Sequence, residues 1–209
     1  RLLLLIFLIL FNCPLLAESL NIQSKNITID KNKKITIFES DVTVKTEDNN
    51  IIKSDYAEYD RSKNFLKLKG NIEVTDYRGN IIKTKYAEYD EINRIFKSLG
   101  ETSIETSEEY FLKGFDIIFD NKKKIINSKK KTKIIDKENN KIFLESFEFE
   151  IKNNIFKSVG FVKIEDKLEN VYEFSQVYID TKNREILGTD IKAFLNDESF
   201  KINKNNKPR

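Results

Sequence analysis

The chain has 209 residues, enough for one sizeable domain or two small ones, and its 37 Lys and Arg stand against 34 Asp and Glu. The net charge of +3 is spread with both signs along the whole length, which describes a solvated outer face and excludes the concentrated basic footprint of a nucleic-acid binder. There is no His, so the usual general bases and nucleophile triads are missing and an enzyme is the least favoured class.

Residues 2–11 form an unbroken apolar run behind Arg1, and Pro14 and Leu15-Leu16-Ala17 follow before the polar chain begins at Glu18. A basic start, a short apolar stretch and a small residue at its end describe a secretory signal peptide over 1–17, cleaved after Ala17. The run is short for crossing a bilayer, which takes about 20 apolar residues; a retained signal anchor is the alternative. Cys13 is the single cysteine and leaves with the leader, so the mature chain carries no disulfide of its own. The start at Arg1 in a chain without Met, and the polar stop at Asn205-Asn206-Lys207-Pro208-Arg209, read as trimmed ends.

Beyond the leader the chain repeats. Tyr56-Ala57-Glu58-Tyr59-Asp60 returns as Tyr86-Ala87-Glu88-Tyr89-Asp90, and Ile51-Ile52-Lys53 returns as Ile81-Ile82-Lys83. Weaker copies are Ile117-Ile118-Phe119-Asp120, Phe147-Glu148-Phe149-Glu150 and Val177-Tyr178-Ile179-Asp180, with Ile27-Thr28-Ile29-Asp30 ahead of them. Acidic residues therefore stand at 30, 60, 90, 120, 150 and 180. A fixed internal period decides the architecture before any single residue does.

Within each unit, alternate residues separate two faces. Ala57 and Tyr59, Ala87 and Tyr89, Ile117 and Phe119, Phe147 and Phe149, and Val177 and Ile179 form an apolar face, with polar neighbours between them, as in a half-buried strand. The same strands begin on even-numbered apolar positions such as Ile52 and Ile82, so the phase changes near 55, 85, 115, 145 and 175. A bulge or bend is expected there. The returning strand keeps one phase through Leu66, Leu68, Gly70, Ile72 and Val74, and its mid-strand glycines (Gly70, Gly100, Gly160) mark sharp folding or close backbone approach. Polar connections such as Arg61-Ser62-Lys63-Asn64 and Asp76-Tyr77-Arg78-Gly79-Asn80 suit hairpin turns. The expected fold is all-β: a bent antiparallel β-jellyroll over 18–200, built from thirty-residue hairpins, apolar inside and charged outside, with 201–209 as a linker. The last repeat degenerates past Gly188. A transmembrane barrel is excluded by outward Lys, Glu and Asp, which a lipid-facing band does not tolerate.

Chemistry is sparse. The acids at thirty-residue spacing lack the dense Asp/Asn/Gly loop of a calcium site and are read as openers of turns, where Asp accepts backbone N–H groups. No glycine-rich phosphate loop occurs. The lysine runs 122–124 and 129–131 are read as solvated turns that blunt a sheet edge, with attraction of an anionic headgroup as the alternative. Tyr56, Tyr86 and Tyr178 fall on the polar face. No catalytic residue, metal or cofactor is expected. The apolar interior has two readings that alternation does not separate. One is a filled core. The other is an open-ended groove for acyl chains, which gain about 0.8 kcal/mol per buried methylene.

The unit running from Ile52 through Tyr56-Ala57-Glu58-Tyr59-Asp60 to Leu68, Gly70-Asn71-Ile72 and Val74, and the second from Gly79-Asn80-Ile81-Ile82 to Tyr86-Ala87-Glu88-Tyr89-Asp90, resemble a known family. Together with the leader they look like the OstA-like (organic solvent tolerance) domain of the lipopolysaccharide transport machinery, most of all the N-terminal periplasmic domain of the LptD family. The stretch Gly188-Thr189-Asp190-Ile191-Lys192-Ala193, with the ending Asn206-Lys207-Pro208-Arg209, is similar to the junction where that family's barrel begins. The resemblance is strong over about 40–100 and weaker onward. It implies a carrier of lipopolysaccharide, holding lipid A acyl chains in its groove at the periplasmic face of the outer membrane. It also implies three partners: an LptA-type bridge joined by β-edge pairing, a C-terminal outer-membrane barrel, and an LptE-type lipoprotein that plugs the barrel. Some members join this domain to the barrel by disulfides, for which no mature cysteine exists here. Alternation and resemblance together put Ile52, Ala57, Tyr59, Ile72, Val74, Ile82, Ala87, Tyr89, Ile117, Phe119, Phe147 and Phe149 on the acyl chains. The rival readings are a stand-alone LptA/LptC-type bridge protein and a structural β-repeat stalk with a dry core.

Overall fold

The structure, a computed structural model, describes residues 20–183 and 185–196; the leader over 1–17 and the linker over 201–209 lie outside these residues. The described residues contain no helix and form seventeen strands, every paired one antiparallel to its neighbour. Two short strands, β1 (Asn21–Gln23) and β2 (Asn26–Asp30), pair side by side along β3 (Ile35–Lys45). A meander follows through β4 (Ile51–Asp60), β5 (Phe65–Thr75), β6 (Ile81–Asp90) and β7 (Ile95–Glu105), each strand hydrogen-bonded to the next. The pattern continues in half-strands: β8 (Phe111–Phe115) and β9 (Ile118–Asp120), β10 (Ile125–Ser128) and β11 (Thr132–Ile135), β12 (Lys141–Leu144) and β13 (Phe147–Glu150). Full-length β14 (Ile155–Glu165) and β15 (Val171–Asp180) then carry the sheet to β16 (Glu185–Thr189) and β17 (Lys192–Phe194), which share β15 as β1 and β2 share β3.

Every long strand is bent at its middle, as the phase changes require. The register shifts between Lys53 and Tyr56 on β4 and between Thr84 and Tyr86 on β6. One extra residue there flips the side-chain phase, so Ile52 and Ala57 both point inward although one number is even and the other odd. On β5 the shift spans Lys69 to Ile72. Two residues, Gly70 (φ +72°) and Asn71 (φ +36°), take left-handed backbone together, and an even insertion leaves the phase unchanged. The same bend falls on Ser40 and Asp41, Gly100, Gly160 and Asp190, thirty residues apart except at 130. Lys129-Lys130-Lys131 occupies that place, and the strand breaks outright between β10 and β11, the Lys130 N–H turning back to Ser128 Oγ at 3.1 Å. The neighbouring strands break as well, at 116–117 and 145–146, so the middle repeats are half-strands rather than the continuous ten-residue strands expected. The last repeat also departs from expectation. It continues past Gly188, bends at Asp190 and pairs Lys192–Phe194 with β15.

Both ends of the hairpins obey the period. At one end Lys34, Asn64, Arg94, Lys124 and Asn154 have positive φ; at the other Asn49, Gly79, Glu109, Asn139 and Glu169 do. Five of the six acids read as turn openers are that; Glu150 instead accepts from the Asn153 side-chain amide and the Lys157 ammonium. Asp30, Asp60, Asp90, Asp120 and Asp180 accept N–H bonds from backbone two or three residues on, at 2.8–3.1 Å. Successive turns are tied as rungs: Arg61 N–H donates to Lys34 O, Glu91 to Asn64, Asn121 to Arg94, Ile151 to Lys124 and Thr181 to Asn154, all at 2.9–3.0 Å. The bends split the sheet into two half-layers that face each other across an apolar interior.

Two predictions test this frame. A Cβ on Gly70 forces left-handed strain on an L-residue and meets Asp55 Oδ2 at 2.4 Å, whereas at Gly100 (φ +87°) the space is open. Gly100→Ala is expected to lose about 1 kcal/mol by urea denaturation and Gly70→Ala about 2 kcal/mol or more. The Ser62 hydroxyl and the Lys63 ammonium hold the Asp60 carboxyl at about 2 against an ordinary 3.8. Lys113 lowers Glu101 and Lys157 lowers Glu150 in the same sense, and the backbone N–H of Asn183 lowers Asp180. A carboxyl lowered on folding stabilises the fold above its unfolded pKa and loses that contribution as pH falls through the folded one. Thermal melts are therefore expected to show Tm falling between about pH 4 and about pH 2, and Asp60→Asn to flatten part of that fall.

Candidate functional site: the apolar interior and its seam

All twelve residues assigned to the interior face inward, eleven from strands and Ile117 from the break between β8 and β9, but not in one open channel. Ile52, Ala57, Ile72, Val74, Ile82, Ala87, Tyr89 and Ile117 are buried together with Val42, Val44, Leu66 and Leu68 in one cluster, against which Tyr59 and Phe119 pack. Phe147 belongs to a second cluster with Ile134, Leu144, Val162 and Val177. Leu112 and Ile126 touch both clusters and join them. Phe149 is half-buried, opposite Ile126 and Phe156 in the ladder.

The first cluster is a filled core. Ile52, Ala57, Leu66, Leu68 and Ile72 are at most 1% exposed, so side chains of the two half-layers interdigitate without room for a guest. Packing loosens toward the second cluster, where Ile142, Phe156, Ile164, Phe174 and Ile179 are only half-buried. Two hollows, of about 330 Å³ and 250 Å³, lie on the outer face instead, one beside Asp41, Asp55 and Asn71, the other beside Lys97, Asp116 and Lys129. Among the described residues, nothing covers the interior at the two ends of the sheet. Ile27 and Ile29 stand in register with inward Phe38 and Thr36, and Ile186 with Ile179, yet all three are more than half exposed. Among the described residues nothing pairs with the outer side of β2 or β16.

Alternation alone overlooked two features. The first is a line of hydroxyls inside the bend. Ser98 Oγ accepts from Ile117 N–H at 2.9 Å and donates to Ile117 O, Ser128 Oγ donates to Phe115 O at 2.7 Å, and Ser158 Oγ to Ser146 O at 2.6 Å. Thr84 Oγ1 donates to Glu101 O at 3.0 Å and Thr102 Oγ1 to Ser98 Oγ at 2.7 Å. Bulges free backbone groups from the ladder, and short hydroxyl side chains satisfy them within a narrow fold. Ser98, Ser128 and Ser158 are spaced by thirty, a signal the sequence carried.

The second feature is a seam where opposite hairpin ends meet. The turn Thr46–Asn50 ends one half-layer, and the turns 91–94 and 121–124 end the other. Arg94 pairs with Glu47 and lies 3.8 Å from Asp48 Oδ1, and Lys124 Nζ lies 3.7 Å from that same oxygen. Glu91 adds a second tie: it accepts from Tyr59 OH at 2.6 Å and from Leu20 N–H at 3.2 Å. Burial, followed by the Glu91 hydrogen bond and charge, pushes the Tyr59 phenol far up; burial and the Asp48 charge push Tyr89 up to about 12. Both phenols stay neutral at any physiological pH, and Tyr59 is a donor there. Among the described residues no three His, Cys, Asp or Glu side chains gather as a metal site. No described helix is long and apolar enough to cross a membrane.

No protein-family model and no curated protein matches the chain. Among solved structures it is similar to LptH, the LptA-homologous periplasmic component of the lipopolysaccharide transport device of Pseudomonas aeruginosa, at 9% identity over 85% of this chain and 94% of that one, with a TM-score of 0.23. It is similar to the wild-type TCP10 domain of Danio rerio CPAP at 10% identity over 81% and 99% of the two chains, with a TM-score of 0.19. TM-scores this low decide nothing about function, and the fold stands on strand register alone.

The packing gradient has a direct test. Ile72→Ala, in the filled part, is expected to lose about 3–4 kcal/mol in urea denaturation, and Ile179→Ala, half-buried in the looser part, about half of that.

Proposed function

We propose that this chain is a lipid-transfer element of the OstA-like kind, an apolar β-conduit that takes lipid A acyl chains from an LptA-type bridge and passes them to an outer-membrane barrel. The observation that carries the reading is the continuous inward apolar face, left uncovered at both ends of the sheet by Ile27, Ile29 and Ile186 while charge is kept outside. A sheet whose interior ends in exposed apolar side chains and unpaired strand edges is incomplete alone, because such edges template further pairing. The doubled Ala-Glu-Tyr-Asp unit and its resemblance to the LptD family supply the cargo. Edge pairing at β2 or β16 supplies the route in this proposal, with an LptE-type lipoprotein and the barrel further on. In this proposal the half-layers part to admit the chain, and the acyl-contacting residues are the twelve inward positions, Tyr89, Phe119, Phe147 and Phe149 foremost.

A second reading has its own support. The near-complete burial of Ile52, Leu66, Leu68 and Ile72 is what a structural β-repeat with a dry core presents. Photocrosslinking from Tyr89 and Phe119, compared with outward Glu88 and Lys123, separates the two in cells that make lipopolysaccharide. Adducts from the inward pair alone are expected, and Phe119→Asp in a folded variant abolishes those near it. Absence of adducts from every inward position of a folded protein establishes the dry repeat instead.

A further inference from the structure

The seam between opposite hairpin ends differs from the rest of its rim. Three turns of that rim open on an Asp whose two oxygens are both consumed locally: Asp76, Asp136 and Asp166 each accept from the backbone N–H and the Nδ2 of the Asn four residues on, at 2.7–2.9 Å. Two turns open on a Thr instead: Thr46 Oγ1 takes the Asn50 N–H at 3.2 Å and Thr106 Oγ1 the Tyr110 N–H at 3.0 Å. From the first of these, Glu47 and Asp48 reach across to Arg94 and Lys124. Among the described residues these are the ion pairs that join the two rims. They close the interior beside its most tightly packed part, since Tyr89 and Tyr59 stand directly behind them.

The closure is imperfect. Asp48 Oδ1 meets its two cations at 3.7 Å and 3.8 Å, and Asp48 Oδ2 is buried without a hydrogen-bond partner. A carboxylate oxygen sealed from water and left unpaired penalises the closed state. The four side chains are each at least a fifth exposed, so their attraction is screened and readily exchanged. An anion arriving at this rim finds a guanidinium held by Glu47 and, like the Lys124 ammonium beside it, only loosely matched by Asp48.

We propose that this seam is a lateral door to the apolar interior, and that Arg94 and Lys124 form behind it a headgroup site for an anionic acyl amphiphile, whose charge displaces Glu47 and Asp48 as its tail enters between the half-layers. The inference rests on the conduit reading and adds to it a side entrance and a charge requirement. Binding favours the open state because only there do the cations exchange the poorly placed Asp48 for a fitted anion.

The test uses the full 209-residue chain. Glu47→Cys and Arg94→Cys are introduced with Cys13→Ser, and the new pair is joined by a bismaleimide whose spacer contains a reducible disulfide. The probe is parinaric acid, a polyene fatty acid that fluoresces in apolar surroundings. The linked protein is expected to take it up about tenfold more slowly than the same protein after reduction, with circular dichroism unchanged. In a second arm Arg94→Gln with Lys124→Gln is compared with the unaltered chain, using parinaric acid and its uncharged methyl ester. The unaltered chain should prefer the acid about tenfold, and the double variant should lose the preference while still binding the ester. Equal uptake by the linked and reduced forms overturns the door and leaves the conduit standing, with entry at the sheet ends. Equal affinity for acid and ester in the unaltered chain overturns the headgroup site. No binding in any folded form overturns the conduit reading and the door with it.

Discussion

The bend in the middle of each strand is the constraint on which the rest of the molecule depends. A strand that folds back on itself must keep one face apolar through the fold, and the side-chain period of two makes that a question of parity. An insertion of one residue, as at position 55, must be matched by a shift of the apolar residues from even to odd; an insertion of two, as at Gly70 and Asn71, must leave them where they are. Adjacent strands use opposite solutions, and both put their apolar residues inside. Because each hairpin repeats the solution thirty residues later, the bends line up into one spine, and the sheet becomes two facing half-layers.

The hydroxyls along that spine follow from the same constraint. Where the ladder is interrupted, carbonyl and N–H groups lose their partners, and Ser98, Ser128 and Ser158 reconnect them from within. Larger polar side chains would not fit in so narrow a fold, and apolar ones would leave the freed groups unsatisfied. On the outside, cross-strand pairs such as Lys67 with Glu58 and Lys141 with Glu165 keep the surface solvated. Exposed pairs of this kind contribute only about 0–1 kcal/mol each, so they serve solubility more than stability.

Facing half-layers also bring the two sets of hairpin turns together, and a functional reading begins there. Strands that were far apart in the ladder become neighbours at the rim, where Glu47 and Asp48 reach Arg94 and Lys124. The interior is therefore dense where the rim is clasped, looser toward β14 and β15, and uncovered at both sheet ends. That gradient gives a transfer role and a purely structural role different predictions for the same residues.

Much of this was legible in the chain itself. The thirty-residue period, the hairpins, the inward residues, the turn-opening acids and the place of each bend follow from alternation and from Gly and Asp spacing, because these are local rules that each repeat obeys alone. The half-strands around Lys129-Lys130-Lys131 and the continuation through Asp190 needed the structure, since a missing glycine or a weak repeat does not say whether the ladder breaks or persists. What only the tertiary structure decided is whether the apolar face is a groove or a core, and which turns close over it. Both depend on how far the half-layers twist before they meet. That offset brings residue 47 to residue 94, and no local pattern of residues encodes it.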